Sequence, residues 1–323
     1  MTIGPEYREW PLLTAGSLRL PGIVGRTVGK LVGPRSNRLY NAELPEYFPR
    51  QHATASGAWE YYQRFLGTPE RRLRILDIGC GAGARTTAHA SRTDGAFFCV
   101  DLNRRLMREA AASVECPPRL RFTQADATRL PFDDCTFDVC LCENVLEHFD
   151  RPDVALAELG RVLRPGGHLF AFFPPWRGPF SGHLTSVTSM PWIHLLWPSF
   201  ISRILVLSHV ARHPSPSPGE LSTIAARLKD LNGHLNGWSL ERILDAAGNC
   251  PDLKPVDAYA VGEWRFCSLL RFLPWIGEFL TGAVYLVYVK APAADRARPF
   301  RTFNSIVIQM ARRHFDGAIQ PQT

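Results

Sequence analysis

The chain has 323 residues, a mass of 36.2 kDa, 46% hydrophobic and 21% charged residues, with 25 Gly and 26 Pro. That is about twice a modal domain with enough apolar material for a sizeable core, which excludes a wholly disordered or fibrous chain. The net charge of +7, from 37 Lys plus Arg against 30 Asp plus Glu, is compatible with an anionic substrate, nucleic acid or a lipid surface and selects none of them.

Residues 1 to 70 are Pro/Gly-punctuated. Between Pro11 and Ala42 this stretch carries Arg19, Arg26, Lys30, Arg35 and Arg38 and no acidic residue. It turns aromatic at AWEYYQRFL, Ala58 to Leu66, which predicts a short helix. The first ten residues place Glu6 and Glu9 where a secretory signal has a basic head and an apolar core, so no secretion is expected. From Leu73 the texture alternates. Strands are predicted at Leu73 to Ile78, Ala96 to Asp101, Leu120 to Gln124, Phe137 to Cys142 and Gly167 to Phe173. Helices are predicted at Gly83 to Ser91, Asn103 to Val114 and Asp153 to Leu163. Strands separated by helices imply a parallel sheet covered on both faces, an α/β Rossmann-like core.

The alternation breaks between Pro174 and Gly237, too long a stretch for a simple connection and read as an inserted lid. It resumes with Ser239 as an N-cap before Leu240 to Ala247, then strands near Pro255 to Val261 and at Ala283 to Lys290. In the tail, Phe303, Ile306, Val307 and Met310 fall on one face of an amphipathic helix. The expected organisation is an extension over 1–70, a ligand-binding core over 71–173, the lid over 174–237, the rest of the core sheet over 238–291 and a basic tail over 292–323. The two most apolar runs, Met190 to Ala211 and Phe266 to Val289, are interrupted by Pro198 and Arg203, and by Arg271, Pro274 and Glu278, which argues against a transmembrane helix. The eight cysteines, at 80, 99, 116, 135, 140, 142, 250 and 267, form no C-x-x-C pair and read as free thiols of a reducing cytosol.

Chemistry concentrates in LDIGCGAG, Leu76 to Gly83, where a strand gives way to a helix. Gly79, Gly81 and Gly83 let the backbone turn sharply and approach a ligand, and the helix start presents free amides. The spacing is G-x-G-x-G, not the G-x-G-x-x-G of dinucleotide binders. Asp77, inside the preceding strand, suits a ligand with a positive charge. Asp101, closing the second strand, can hold both hydroxyls of a ribose.

LDIGCGAG, Asp101, the pair Asp126 and Ala127, LPFDDCTFDV, VLEHF and LRPGGHLF together resemble the class I S-adenosylmethionine-dependent methyltransferases, particularly a small-molecule type similar to quinone-biosynthesis enzymes; the resemblance covers residues 70 to 173. It implies a mainly parallel seven-stranded sheet with helices on both faces, completed by an antiparallel strand at Ala283 to Lys290. S-adenosylmethionine is the implied cofactor. On the same ground the glycines would lie against its amino-acid part, Asp101 with Leu102 beside it would take the ribose, Asp126 and the Ala127 amide would take the adenine, and Glu143 would begin the loop facing the methyl group.

Methyl transfer from a sulfonium is an in-line displacement that needs positioning and, for some acceptors, a base. His148, after the fourth strand, is one candidate base; the alternative is that Glu147-His148 is scaffold. Related O-methyltransferases hold a divalent cation with Glu-x-x-Glu-His at this place, but here the first position is Asn144, so no metal is expected. Cys135, Cys140 and Cys142 read as core thiols of a strand. In the lid, Trp176, Arg177, His183, Trp192, His194 and Trp197 either form a satellite core or wall an apolar acceptor pocket, with His183 as the second candidate base.

The expected function is methyl transfer to oxygen or carbon of a small, apolar or glycosylated metabolite by a cytoplasmic monomer or weak homodimer. The alternatives are an RNA methyltransferase and a catalytically inactive cofactor-binding partner protein. No basic groove interleaved with aromatics and no RNA-binding module is recognisable, so no nucleic acid is expected. The basic N-terminal stretch, the Trp/Leu-rich piece Pro191 to Val210 and the basic C-terminal tail either contact a membrane surface peripherally or pack on the domain.

Overall fold

The computed structural model describes residues 47–67, 71–113, 119–179, 181–183, 191–196, 235–261 and 278–292. The basic stretch 11–42, the pattern 303–310, Cys116, Cys267, Trp197 and most of the segment 174–237 lie outside them. The chain divides into two compact units, one of Asn41–Pro175 with Trp238–Thr323 and one of Met1–Tyr40 with Trp176–Gly237.

The larger unit carries the sheet. Its elements are α1 (Tyr47–Leu66), β1 (Arg74–Ile78), α2 (Ala84–Ala90), β2 (Ala96–Asp101), α3 (Arg104–Ser113), β3 (Leu120–Gln124), β4 (Phe137–Glu143), α4 (Pro152–Val162), β5 (Leu163–Phe173), α5 (Leu240–Gly248), β6 (Leu253–Val261) and β7 (Ala283–Lys290). The seven strands run in the order β3-β2-β1-β4-β5-β7-β6. The first five are parallel; β7 is antiparallel to both β5 and β6. Every residue of β4 is buried, as a strand covered on both faces requires.

One face packs Leu76, Phe137, Cys140, Leu156, Leu159, Ile243, Leu244 and Tyr288 under α4 and α5. The opposite face packs Ile75, Phe97, Val139, Leu141, Phe170 and Val287 under α1, whose Ala58, Trp59 and Tyr62 are buried on it. Ser239 caps α5, its side chain accepting from the Arg242 amide.

Several elements depart from expectation. The helix expected over Ala58 to Leu66 runs for 20 residues from Tyr47. β5 begins at Leu163, not Gly167: Leu163 pairs with Phe137, and a register shift between Phe137 and Val139 absorbs the LRPGG turn. Cys140 and Cys142 are buried in β4, but Cys135 is exposed in the turn before it at φ 55°, with Lys290 Nζ 3.5 Å from its sulfur. The polar Asp133-Asp134 turn ends before the apolar run that the sheet takes up, and Cys135 falls on the turn side.

Of the smaller unit, the described part holds Trp176 and His194 together. The His194 ring is bonded to the Trp176 carbonyl at 2.6 Å and packs edge-on against the indole. Burial lowers the His194 pKa to about 4, so it is a neutral packing residue at physiological pH.

Candidate functional site

In a doubly wound sheet the crevice opens at the carboxyl ends of the strands where the winding reverses, here between β1 and β4. The glycine loop occupies that place. Gly79, Gly81 and Gly83 all have left-handed φ, at 67°, 53° and 78°. Gly79 is constrained twice, since a Cβ there would stand 2.2 Å from Val145 Cγ2. The Gly79 and Cys80 amides both donate to the Val100 carbonyl, at 2.7 and 3.1 Å, which ties the loop to the end of β2. Asp101 then accepts from the Gly81 amide at 2.9 Å and from the Asn103 amide at 2.8 Å. A Cβ on Gly81 would meet nothing within 4 Å, so the loop is open on that side.

Next to Asp101, Leu102 is 67% exposed, an unusual state for a large apolar side chain at a strand end. Beyond β3, Asp126 is exposed and its Oδ1 accepts from the Thr128 amide and hydroxyl, both at 2.8 Å, while Ala127 is buried beside it. Asp77, Gly79, Gly81, Gly83, Asp101, Leu102, Asp126, Ala127 and Glu143 thus all belong to the carboxyl ends of β1 to β4.

Beneath the loop lies a polar cluster that the sequence did not announce. Asp77 is buried and accepts from the Thr86 hydroxyl at 2.5 Å; burial pushes its carboxyl up to about 6. Glu143, expected to begin the loop facing the methyl group, closes β4 just before that loop and turns its side chain inward. It is buried at the end of β4, and its carboxylate accepts from the Tyr62 hydroxyl at 2.6 Å and from Arg85 Nη2 at 2.8 Å and Nε at 3.0 Å, with His89 Nε2 at 2.7 Å. Burial alone would raise the Glu143 pKa, but Arg85 and His89 outweigh it and hold the carboxylate well below its usual range. The Tyr62 hydroxyl is pushed well up by burial and by the adjacent Glu143 charge, so it stays a donor. The residues the sequence reading missed are Tyr62, Arg85, Thr86 and His89. Their one local signal was Arg85 and His89 at i, i+4, two polar residues on the inward side of α2.

After β4 the chain turns at Asn144, left-handed at φ 53°, whose amide donates to the Phe172 carbonyl at 2.6 Å. The short helical turn Leu146–His148 follows, with Glu147 buried and His148 exposed, their side chains 4.0 Å apart. Val145, Phe149, Phe172 and Tyr285 are only partly buried at this end of the sheet, and Arg85 lies over the Phe172 ring. His183 belongs to the smaller unit, half-buried and left-handed at φ 54°.

Residues 76–171 match the family described as a methyltransferase domain. The chain is 37% identical over 125 residues to an uncharacterized methyltransferase of Mycolicibacterium gilvum (strain PYR-GCK), covering 38% of this chain and 48% of that protein. It is 33% identical over 135 residues to another from Mycolicibacterium vanbaalenii, covering 42% and 52%. The chain thus spans about half the length of the curated relatives it matches. Among solved structures, a geranyl diphosphate C-methyltransferase from Streptomyces coelicolor A3(2) is 15% identical over 85% of this chain and all of that one, with a TM-score of 0.48, a likeness too slight to carry an argument.

Proposed function

We propose that this chain, whose residues 76–171 match a methyltransferase domain, is a class I S-adenosylmethionine-dependent methyltransferase that transfers a methyl group to an oxygen or carbon of a small, apolar or glycosylated acceptor. The observation that carries the reading is the junction of β1 and β2. Three left-handed glycines there meet an Asp101 carboxylate that already holds the Gly81 amide.

The residues fit the donor chemically. Each Asp101 oxygen accepts one backbone amide and has capacity for a second bond, which suits the two ribose hydroxyls. Leu102 offers an exposed apolar face for the adenine, with Asp126 as acceptor for its amine and the Ala127 amide nearby. The open side of Gly81 leaves room for the amino-acid part. Bound there, S-adenosylmethionine supplies an electrophilic methyl on a sulfonium. The protein's share is to fix the donor on a rigid loop and keep the acceptor in line with it. The partly buried Val145, Phe149, Phe172 and Tyr285 support an apolar acceptor.

A hydroxyl acceptor also needs a base. His148, exposed beside Glu147, is the first candidate and His183 the second. His148→Asn and His183→Asn separate them: loss of turnover with unchanged donor affinity identifies the base, and full activity in both removes the requirement. The test of the reading itself is calorimetric titration of the full chain with S-adenosylmethionine and, separately, NADH. Micromolar binding of the first alone is expected; binding of neither moves the inactive partner protein to the front.

A further inference from the structure

The methyltransferase match begins at residue 76, but the cluster beneath the glycine loop reaches outside it, to α1. α2 follows the loop directly, and two consecutive residues of its first turn grip two different strand ends: Arg85 holds Glu143 of β4, and Thr86 holds Asp77 of β1. One turn on, His89 reaches the same Glu143. The remaining donor to that carboxylate is Tyr62, 81 residues away in sequence on α1, and the Tyr62 ring stacks on Phe170 with centroids 4.3 Å apart. The neighbouring Trp59 packs against His89. The carboxylate is therefore shared between the helix that positions the loop and a helix outside the matched domain.

We infer that α1 is a working part of the cofactor site and that Tyr62 is a positioning residue for it, acting through Glu143 and Arg85 on the loop of Gly79 to Gly83. The inference rests on the proposed function. Its physical content is a linkage: if a docked α1 sets the loop in its binding shape, bound cofactor must in turn hold α1 down by the same factor. Tyr61 provides the control. It lies on the same helix and makes the same kind of bond, its hydroxyl donating to Asp257 Oδ2 at 2.9 Å, but its destination is β6, away from the loop.

The experiment uses the full chain, with S-adenosylmethionine as the probe and two readouts, calorimetric affinity and hydrogen exchange of the amides of residues 58 to 66. Tyr62→Phe deletes one hydroxyl and is expected to weaken binding about three- to tenfold, the share of one lost hydrogen bond to a charged group that reaches the loop through Glu143 and Arg85. In the wild type, saturating cofactor is expected to slow exchange across 58 to 66; in Tyr62→Phe that slowing disappears. Tyr61→Phe is expected to lower the melting temperature comparably while leaving affinity and cofactor-dependent protection near wild type. Equal losses of affinity in the two variants make α1 a generic packing element and overturn the inference. So does a wild type that binds the cofactor with no change in α1 exchange, an outcome that decides alone should Tyr62→Phe fail to fold. A wild type that binds no S-adenosylmethionine overturns the functional reading and the inference with it.

Discussion

Asp77 and Glu143 are both buried at the carboxyl ends of adjacent strands, yet burial wins at one and neighbouring cations win at the other. At Asp77 burial outweighs the opposing hydrogen bond from the Thr86 hydroxyl, and the carboxyl rises to about 6. Between about pH 4, the unfolded value, and pH 6 the native state holds a proton that the unfolded chain has lost. Stability associated with Asp77 is therefore present below about pH 4 and lost as pH rises through 6. Asp77→Asn removes that cost and is expected to stabilise the protein by about 1–3 kcal/mol at pH 7.5, with no gain at pH 4. Thermal melts of the two proteins at the two pH values check it, and an equal gain at both rejects the assignment. Glu143 has the opposite sign: its contribution is present above the usual glutamate range and lost as acid protonates it. Asp101 acts through hydrogen bonds. Asp101→Ala removes the contact to the Gly81 amide of the loop and that to the Asn103 amide as well as the ribose acceptor, and donor affinity is expected to fall by about 2–4 kcal/mol, thirtyfold or more. Near-wild-type affinity by calorimetry overturns the ribose role.

Among the elements, the loop between β1 and α2 is the most tightly specified. Gly79→Ala has to accept a left-handed φ and a Cβ 2.2 Å from Val145 Cγ2, so it is expected to destabilise the protein by at least about 2 kcal/mol. Denaturant titration of Gly79→Ala with and without Val145→Gly separates the causes: the second change removes both the Cγ2 contact and the Val145 Cβ at 2.8 Å and leaves the backbone strain. The elements most legible in sequence were those with purely local grammar. β2 and β3 have the expected bounds, and Ser239 begins α5 because a serine before an apolar helical run can accept the orphan Arg242 amide. The length of α1 and the start of β5 were not legible. The start of β5 is fixed by a partner in another strand, Phe137 for Leu163.

Across the whole molecule, the position of β7 between β5 and β6 makes the sheet mixed, and its antiparallel strand joins β6 to the parallel strands. No helix among the described residues is long and apolar enough to cross a membrane. A peripheral contact through the basic stretch 11–42 and the tail around 303–310 is a proposal with a direct test. The full chain is expected to sediment with anionic vesicles at low ionic strength and to be released by about 0.5 M salt, where screening falls within about 5 Å. Failure to sediment at low ionic strength assigns those segments to packing instead.

The sequence by itself determined the alternation of strands and helices, the glycine loop and the acidic strand ends Asp77 and Asp101. Each depends on a residue's own conformational freedom or on neighbours a few positions away. Only the tertiary structure decided that Glu143 turns inward and that Tyr62, Arg85 and His89 meet on it. It also showed that Cys135 stays outside the sheet and that α1 reaches the Glu143 carboxylate through Tyr62. Those facts depend on which polar groups desolvation forces to find each other, and a partner 81 residues away leaves no local mark.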